Sequence, residues 1–405
     1  MTTPTQSTPL AGQTPTQASR PASVSATNGR TAPGPTTPGL TLPGRTAPGQ
    51  TAPGNVADRA VKRRRVLDIL DAAGRDSLLL TSNTALTWYL DGSRVHISLA
   101  GDPIAALLVD RSGDHLVTFN NEAGRIAAEE LPEGVSLDTV PWHGQLHAVA
   151  AGLAVDGDPL VEAAVTTELR AARQQLLPAE TARYAELSAD AAAAMTDVLT
   201  AVSPETTEFQ LVSELAARIV AVGAEPLVLL CNGASRSDFR HPLATHSPIG
   251  RRAMAVVCAR RNGLVANVTR WVAFDAGTPQ ELDAEARIAA VEADIFKATV
   301  PRARLNTVFT EIQQAYARHG FGDDQWTLHH QGGPAGYAGR DPRVTADVRD
   351  TIVLNQPFTW NPSGPGVKIE DTVLLTESGL RILTTDDRWP TTQVEGRRRP
   401  LTLRP

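Results

Sequence analysis

The sequence changes character at Leu177-Pro178, and this change limits the possible fold more than any other feature. After it, two long helical patterns precede three consecutive β-rich runs between residues 226 and 274. Two further helical patterns follow, and strand patterns return from residue 351 onward. Helices interleaved with strands that favour antiparallel pairing predict an α+β domain, which we place at residues 177–395.

Two different regions precede this domain. Residues 56–176 alternate strand and helix patterns, which predicts a smaller α/β domain. Residues 1–55 are a low-complexity tail of Thr, Pro, Gly, Ala and Ser with recurring TAPG units. Such a tail has little apolar surface to bury against the entropy of ordering, so we expect it to be disordered.

Composition excludes several classes of partner. No apolar run in the 405 residues approaches the roughly 18–20 that a transmembrane helix needs, so we expect no membrane contact. The formal net charge is −6, and the two short basic runs, Lys62–Arg65 and Arg397–Arg399, lack interleaved aromatics. We therefore expect no nucleic-acid binding. Two cysteines make no disulfide framework and no secretory signal is visible, so we expect a cytoplasmic protein.

Several motifs then occur in one order along the chain: TARYAELSADAAAAM, TEFQLVSELAARIVAVGA, RHP at Arg240–Pro242, GLVANVTRWVAF and VKIEDTVLLTESG. Together they resemble the M24 pita-bread superfamily of aminopeptidase P, prolidase and creatinase. DSLLLTSNTALTWYLDGSR resembles the smaller N-terminal domain of these enzymes. The resemblance, over roughly residues 60–390, implies a pita-bread domain behind a creatinase-type domain, a small-molecule or dipeptide-like substrate and a homodimer.

The resemblance also implies where metal ligands would lie. The peptidases of this superfamily hold two divalent ions with two Asp, one His and two Glu. The matching positions here are Cys258 or Val256, then Asn267, His329 or His330, Asn361 and Glu370. One carboxylate remains, and neutral amides cannot offset the charge of two divalent ions. We therefore expect no metal and no cofactor, with a single ion at Cys258, a histidine and Glu370 as an alternative.

Histidines are the candidate proton carriers. His241 matches a family histidine that assists proton transfer, and imidazole is the side chain best suited to acid–base work near pH 7. In LHHQGG, His329 and His330 are adjacent; if they lie on a strand, only one can face the site and the other is structural. Both are kept as candidates. Gly332-Gly333 predicts a tight turn whose backbone approaches a ligand.

Glu370 and Arg340 complete the predicted site. Alternation along VKIEDTVLLT puts Glu370 and Asp371 on opposite faces, with Glu370 facing the site. A buried Glu370 needs a donor, which an arginine, Asn267, Asn361 or a histidine could supply, and we expect a hydrogen-bonded His–Glu–Asn network in place of the ions. Arg340 in YAGRD resembles the creatinase arginine that grips the substrate carboxylate. Thr269 stands where creatinase has a glutamate that orients its histidine, so creatinase activity itself is not expected.

Two weaker candidates are Trp360, expected to line the pocket, and Arg94, expected to contact substrate from the small domain, which in this superfamily caps a partner's site. Three functions remain open. The first is metal-independent C–N bond hydrolysis of a small carboxylate-bearing substrate, with a histidine relaying protons, Glu370 orienting it and Arg340 holding the carboxylate. The second is a non-catalytic relative that binds a small ligand or partner. The third is an atypical metal-dependent Xaa-Pro peptidase.

Overall fold

The computed structural model of the chain describes residues 56–155 and 157–405. The tail that composition predicts to be disordered, residues 1–55, lies outside this range. The described residues belong to a unit that spans Ala47–Pro405, and the predicted domain limits at 176 and 395 stay a prediction. Within the described part, none of the helices is both long enough and apolar enough to cross a membrane.

The N-terminal region is built on one mixed sheet flanked by helices. Its helices are α1 Val56–Ala73, α2 Asn83–Tyr89, α3 Ala123–Arg125, α4 Leu146–Ala151 and α5 Thr166–Gln174. Its strands are β1 Ser77–Leu80, β2 Ala105–Asp110, β3 Asp114–Phe119, β4 Val135–Val140 and β5 Leu160–Val161. They lie in the order β4-β3-β2-β1-β5, with β3/β4 and β1/β5 parallel and the other pairs antiparallel. This sheet matches the predicted α/β pattern.

The C-terminal region is α+β, as predicted. Its helices are α6 Pro178–Leu199, α7 Glu208–Ala221, α8 Pro279–Ala298 and α9 Leu305–Arg318. Its longer strands are β6 Glu225–Gly233, β7 Arg252–Arg261 and β8 Leu264–Ala273. The shorter strands are β9 Gly332–Pro334, β10 Pro357–Trp360, β11 Ser363–Gly364, β12 Val367–Lys368, β13 Asp371–Thr376, β14 Gly379–Ile382, β15 Thr391–Val394 and β16 Arg397–Pro400.

Local sequence explains where two of these helices begin. Thr207 accepts from the backbone N–H of Gln210, whose side chain bonds back to Thr207, and α7 starts at the next residue. Thr278 and Glu281 form the same reciprocal cap ahead of α8, with a proline in the first turn. These capping boxes satisfy N–H groups that a helix start otherwise leaves unpaired.

Two antiparallel sheets meet at the centre of this region. One has the order β6-β7-β8 and the other β14-β13-β10-β9. They join where the Thr269 N–H donates to the Glu370 carbonyl (3.0 Å), and where the Asn267 N–H donates to the Thr372 hydroxyl (2.8 Å). β8 is buried along its whole length, and α6 packs on it through Tyr184, whose hydroxyl donates to the Val265 carbonyl (2.8 Å). Glu370 therefore lies at a rigid junction between sheets.

Two apolar clusters support this junction from different sides. The larger joins the N-terminal sheet to α6, α7 and β6–β8, and the second joins α8 and α9 to β10 and β13. Gly332 lies beside the second cluster at φ +92, and a Cβ there would come within 2.1 Å of the Thr359 carbonyl oxygen. The close packing of its backbone against β10 therefore explains the glycine at position 332, and the approach of the Gly332-Gly333 backbone to a ligand stays a prediction.

Candidate functional site

Glu370 is buried at the start of β13, with both carboxylate oxygens bonded. The Arg340 guanidinium donates to Oε1 at 2.7 Å. The Lys368 ammonium lies 2.7 Å from Oε2, and the Thr269 hydroxyl donates to the same oxygen at 2.7 Å. Asp371 faces the other way, toward Arg270 and Arg399, as strand alternation predicts.

The charges around Glu370 keep it ionised. Burial raises the pKa of Glu370, but the neighbouring Lys368 and Arg340 cations and the Thr269 hydrogen bond outweigh burial and hold that pKa well below its usual range. The predicted His–Glu–Asn network is wrong, and no hydrogen bond joins Glu370 to a histidine among the described residues. Two cations stabilise a buried carboxylate better than neutral amides can, which is the physical reason for the difference.

Three histidines form a cluster beside this carboxylate. The Nε2 atoms of His241 and His329 are 3.2 Å apart. The rings of His329 and His330 stack with centroids 4.4 Å apart, and those of His241 and His330 lie 5.8 Å apart. The expectation that only one of the adjacent histidines enters the site is wrong. Both precede β9 and follow a 3₁₀ turn, so the alternation of a paired strand does not apply to them.

Hydrogen bonds fix the tautomers in this cluster. The Nδ1 of His329 lies 2.6 Å from the carbonyl oxygen of His330, which can only accept, so Nδ1 carries the proton of the neutral ring. The Nε2 of His329 is then an acceptor, and the Nε2–H of His241 donates to it. This leaves the Nδ1 of His241 with a free lone pair. His241 is the most exposed of the three side chains.

All three imidazoles resist protonation. Burial, with Lys368 and the other histidines, lowers the pKa of His329 to about 3. Burial, with Arg340 and Arg343, lowers the pKa of His330 to about 4. The pKa of His241 is also lowered, first by burial and then by Lys368. The cluster is therefore neutral at pH 7.

The positions where the resemblance expects carboxylates hold neutral side chains. Cys258 and Asn267 are paired across β7 and β8, and Asn361 directly follows β10. The side-chain oxygens of Asn267 and Asn361 are buried and accept no hydrogen bond within the described structure. Burial, with Glu370, raises the pKa of the Cys258 thiol to about 12, which disfavours a thiolate. Val256, the other possible match, packs in an apolar cluster with Leu230, Met254 and Trp271.

A carboxylate-bridged pair of metal ions does not fit this set. The site offers one carboxylate, and its oxygens already bond Lys368, Arg340 and Thr269, so an ion there would have to displace an ammonium group. The residues that could hold a single ion are His241, His329 and His330, which each offer one ring nitrogen within 4.8 Å of those of the other two. The Lys368 and Arg340 cations oppose any cation bound there.

Trp360 lies away from the site, and within the described residues Arg94 does not contact the site of its own chain. Trp360 is fully buried and stacks on Phe358 in the apolar cluster of α8 and α9, with ring centroids 5.7 Å apart. Thr359 lies on the opposite face of β10, where its hydroxyl accepts a hydrogen bond from the Asn267 side-chain amide. Arg94 pairs with Glu129 and Glu130 in the N-terminal region, and no described contact joins it to the site. The substrate contact of Arg94 depends on a homodimer, and both stay predictions.

Lys368 is the main site residue that sequence reasoning missed. It occupies the same face as Glu370, two residues earlier, so the alternation that selected Glu370 also points to Lys368. Arg240 was missed as well, although it directly precedes His241. It lines a small cavity together with His329 and Lys368.

Comparison with known proteins finds a family model that matches part of the chain and solved structures that share its fold. Residues 182–377 match the model of Metallopeptidase family M24, and no curated protein sequence matches the chain. Solved structures with a similar fold include the prolidase from Pyrococcus horikoshii OT3, with 16% identity, a TM-score of 0.67 and coverage of 80% of this chain and 98% of that one. Another is the Xaa-Pro dipeptidase from Bacillus anthracis, with 15% identity, a TM-score of 0.66 and coverage of 81% and 98%.

A third similar structure is the N-terminal domain of the FACT complex subunit SPT16 from Cicer arietinum. It has 12% identity, a TM-score of 0.60 and coverage of 81% of this chain and 95% of that one. Identities this low show a shared fold alone. The similar structures thus include both proteins named as peptidases and one named as a subunit of a complex.

Proposed function

Because this chain carries a pita-bread domain of the M24 superfamily, a peptidase-family hydrolase fold, we propose that it hydrolyses a C–N bond without the paired metal ions of the peptidases. The substrate we propose is small, dipeptide-like and carboxylate-bearing. The observation that carries the proposal is the neutral three-histidine cluster beside Glu370, at a site where amides replace the expected carboxylates.

The histidines supply a route for one proton. The Nδ1 lone pair of His241 accepts a proton from a water molecule whose oxygen attacks the substrate carbonyl carbon. The positive charge formed on His241 is stabilised by its Nε2–H bond to His329, which the His330 carbonyl holds in the accepting tautomer. His241 then returns the proton to the leaving nitrogen as the C–N bond breaks. Water is consumed, and a carboxylic acid and an amine are released.

Glu370 has a different role in this scheme from the one the sequence predicts. It does not orient a histidine; it holds Lys368 and Arg340 in place through two ion pairs. Because Lys368 and Arg340 carry two positive charges and Glu370 carries one negative charge, the net charge of these three groups is positive. That charge favours a substrate with a carboxylate and helps to keep the histidines neutral.

A chelator-treated enzyme tests the proposal. We would remove metals with EDTA, exchange the protein into metal-free buffer and supply Xaa-Pro dipeptides and N-acyl amino acids, following amine release. Turnover is expected in wild type, and its loss is expected in the His241→Ala and His329→Ala variants. Turnover that appears only after manganese, cobalt or zinc is added back would overturn the proposal.

A non-catalytic binding role is the second candidate, favoured by one observation. Asn267 and Asn361 hold neutral amides at positions where the resemblance expects metal-binding carboxylates, as in a relative that has lost its chemistry. Thermal shift with the same compounds separates the two functions. Stabilisation by a compound that is never turned over supports binding alone.

A further inference from the structure

Arg340, which the sequence selects as the carboxylate-binding residue, is already engaged. Its Nη2 donates to Glu370 at 2.7 Å, and its Nη1 donates to the Gly339 carbonyl at 2.5 Å. Its side chain is 9% exposed. The Arg340 Nε has no hydrogen-bond partner within the described structure, but the charge of this guanidinium is already paired with Glu370. A cation that pairs with no carboxylate would therefore bind an incoming anion more favourably.

The cavities near the site offer three arginines, which differ in their partners. Arg251 and Arg252 line the larger cavity, of about 150 Å³, and are paired with carboxylates of Asp275, Glu281 or Glu285. Arg240 lines the smaller cavity, and within the described residues it makes no ion pair. The two cavities share Ser237, Trp271 and Val367 in their walls, so they are neighbours.

Arg240 is half-buried and only partly satisfied. Its Nη1 donates to the Gly364 carbonyl at 2.6 Å, and no other hydrogen bond from its guanidinium occurs among the described residues. Burial lowers the pKa of Arg240, and the nearby exposed Asp238, which forms no ion pair with it among the described residues, offsets the effect of burial only in part. A substrate carboxylate would supply a paired anion, and the planar guanidinium is the group best shaped to bind one.

We propose that Arg240 is the residue that binds the substrate carboxylate, at the cavity it shares with His329 and Lys368. This assignment rests on the proposed function, because that function defines the substrate as carboxylate-bearing. It replaces Arg340, which instead positions Glu370. The ligand is a small molecule with a free carboxylate, such as a dipeptide with an unblocked C-terminus.

The position of Arg240 in the chain gives the carboxylate a second effect. Arg240 immediately precedes His241, in a segment whose neighbouring Phe239 is 57% exposed. The cavity beside it is too small for a dipeptide, so the segment must move outward for a substrate to reach His329. A substrate carboxylate bound to Arg240 would hold the adjacent backbone, and with it the proposed base His241, in one position. Loss of the carboxylate should therefore lower kcat as well as raise KM.

The test uses glycyl-L-proline and its C-terminal amide, which differ only in the carboxylate. Binding is measured by isothermal titration, and proline or prolinamide release is followed in the same samples. The variants are Arg240→Gln, Arg240→Lys and a matched control, Arg381→Gln, which removes an exposed arginine on β14. Wild type and the control should bind the acid about 10- to 100-fold more tightly than the amide. Arg240→Gln should abolish that preference, and Arg240→Lys should keep part of it.

The outcomes separate this inference from the proposed function. If Arg240→Gln keeps the preference for the acid, or if wild type has none, the assignment of Arg240 is overturned. If the preference depends on Arg240 but no sample releases product, the carboxylate site is supported and hydrolysis of this substrate is excluded. Product release together with an intact preference in Arg240→Gln would support hydrolysis and exclude Arg240 as the carboxylate-binding residue.

Discussion

The Nε2 atoms of His241 and His329 lie 3.2 Å apart, although the two residues are 88 positions apart in the chain. With the Nδ1 of His329 bonded to a backbone carbonyl, this contact makes His241 the donor to His329 and leaves its other nitrogen free. The pair is the centre of the proposed chemistry, which also depends on the charges that surround it.

Replacing His241 should remove most of the activity without unfolding the protein. His241→Gln keeps a polar side chain but has no nitrogen that can take up a proton near neutral pH, so kcat/KM should fall by about 10²–10⁴-fold. His246→Gln is the matched control, because His246 lies in the same segment, is exposed and packs on Phe209. Steady-state kinetics of both variants give the comparison. Equal activity in His241→Gln and wild type would exclude His241 as the base.

The pH dependence of turnover should report a lowered histidine pKa. The base is active when neutral, so kcat/KM should rise with pH along a limb centred below the ordinary histidine pKa of 6.5. Burial and the Lys368 charge cause this shift, so Lys368→Met should move the acidic limb toward higher pH. A wild-type limb centred above 6.5 would show that the base is a different group.

Lys368 should be essential for stability because it pairs with a buried carboxylate. Lys368→Met leaves Glu370 with one cation, and the free energy of unfolding should fall by about 3–5 kcal/mol. Lys297→Met is the control: Lys297 is half-exposed and its pairs with Asp294 and Glu395 are worth about 0–1 kcal/mol. Urea denaturation measures both. Equal losses in the two variants would mean that the Lys368–Glu370 pair contributes no more than a surface pair.

Acid should destabilise the folded protein before its carboxylates titrate. His329 and His330 have folded-state pKa values of about 3 and 4, below the ordinary 6.5 of an unfolded chain. Between these values the unfolded state binds more protons, so stability falls as pH drops from 6.5 toward 4. The Tm should fall by roughly 2–4 °C per pH unit in this window. His329→Gln should flatten the slope and His143→Gln, at an exposed position, should not.

Much of the fold could be predicted because local patterns and tertiary structure agree. The two long helical patterns became α6 and α7, and the β-rich runs of residues 226–274 became β6, β7 and β8. Alternation in VKIEDT placed Glu370 and Asp371 on opposite faces, as the structure shows. These features depend on interactions between residues that are close in sequence, so they can be predicted from local sequence patterns.

The partners within the site could not be predicted in the same way. Trp360 was assigned to the pocket, but which face of β10 meets α8 and α9 depends on tertiary packing. Arg340 contacts Glu370 from 30 positions earlier in the chain, and no spacing rule predicts that contact. His329 and His330 precede a short strand, so an alternation rule applied to them gave the wrong result.

Metal content, measured together with activity, decides whether this chain works without paired ions. The protein would be loaded with excess manganese, cobalt or zinc, desalted, and analysed by plasma mass spectrometry alongside a Glu370→Gln variant. We expect far fewer than two ions per chain, no dependence of the metal content on Glu370, and the same turnover before and after chelation. Two ions per chain that disappear in Glu370→Gln, with turnover that requires them, would contradict the proposed metal-independent hydrolysis.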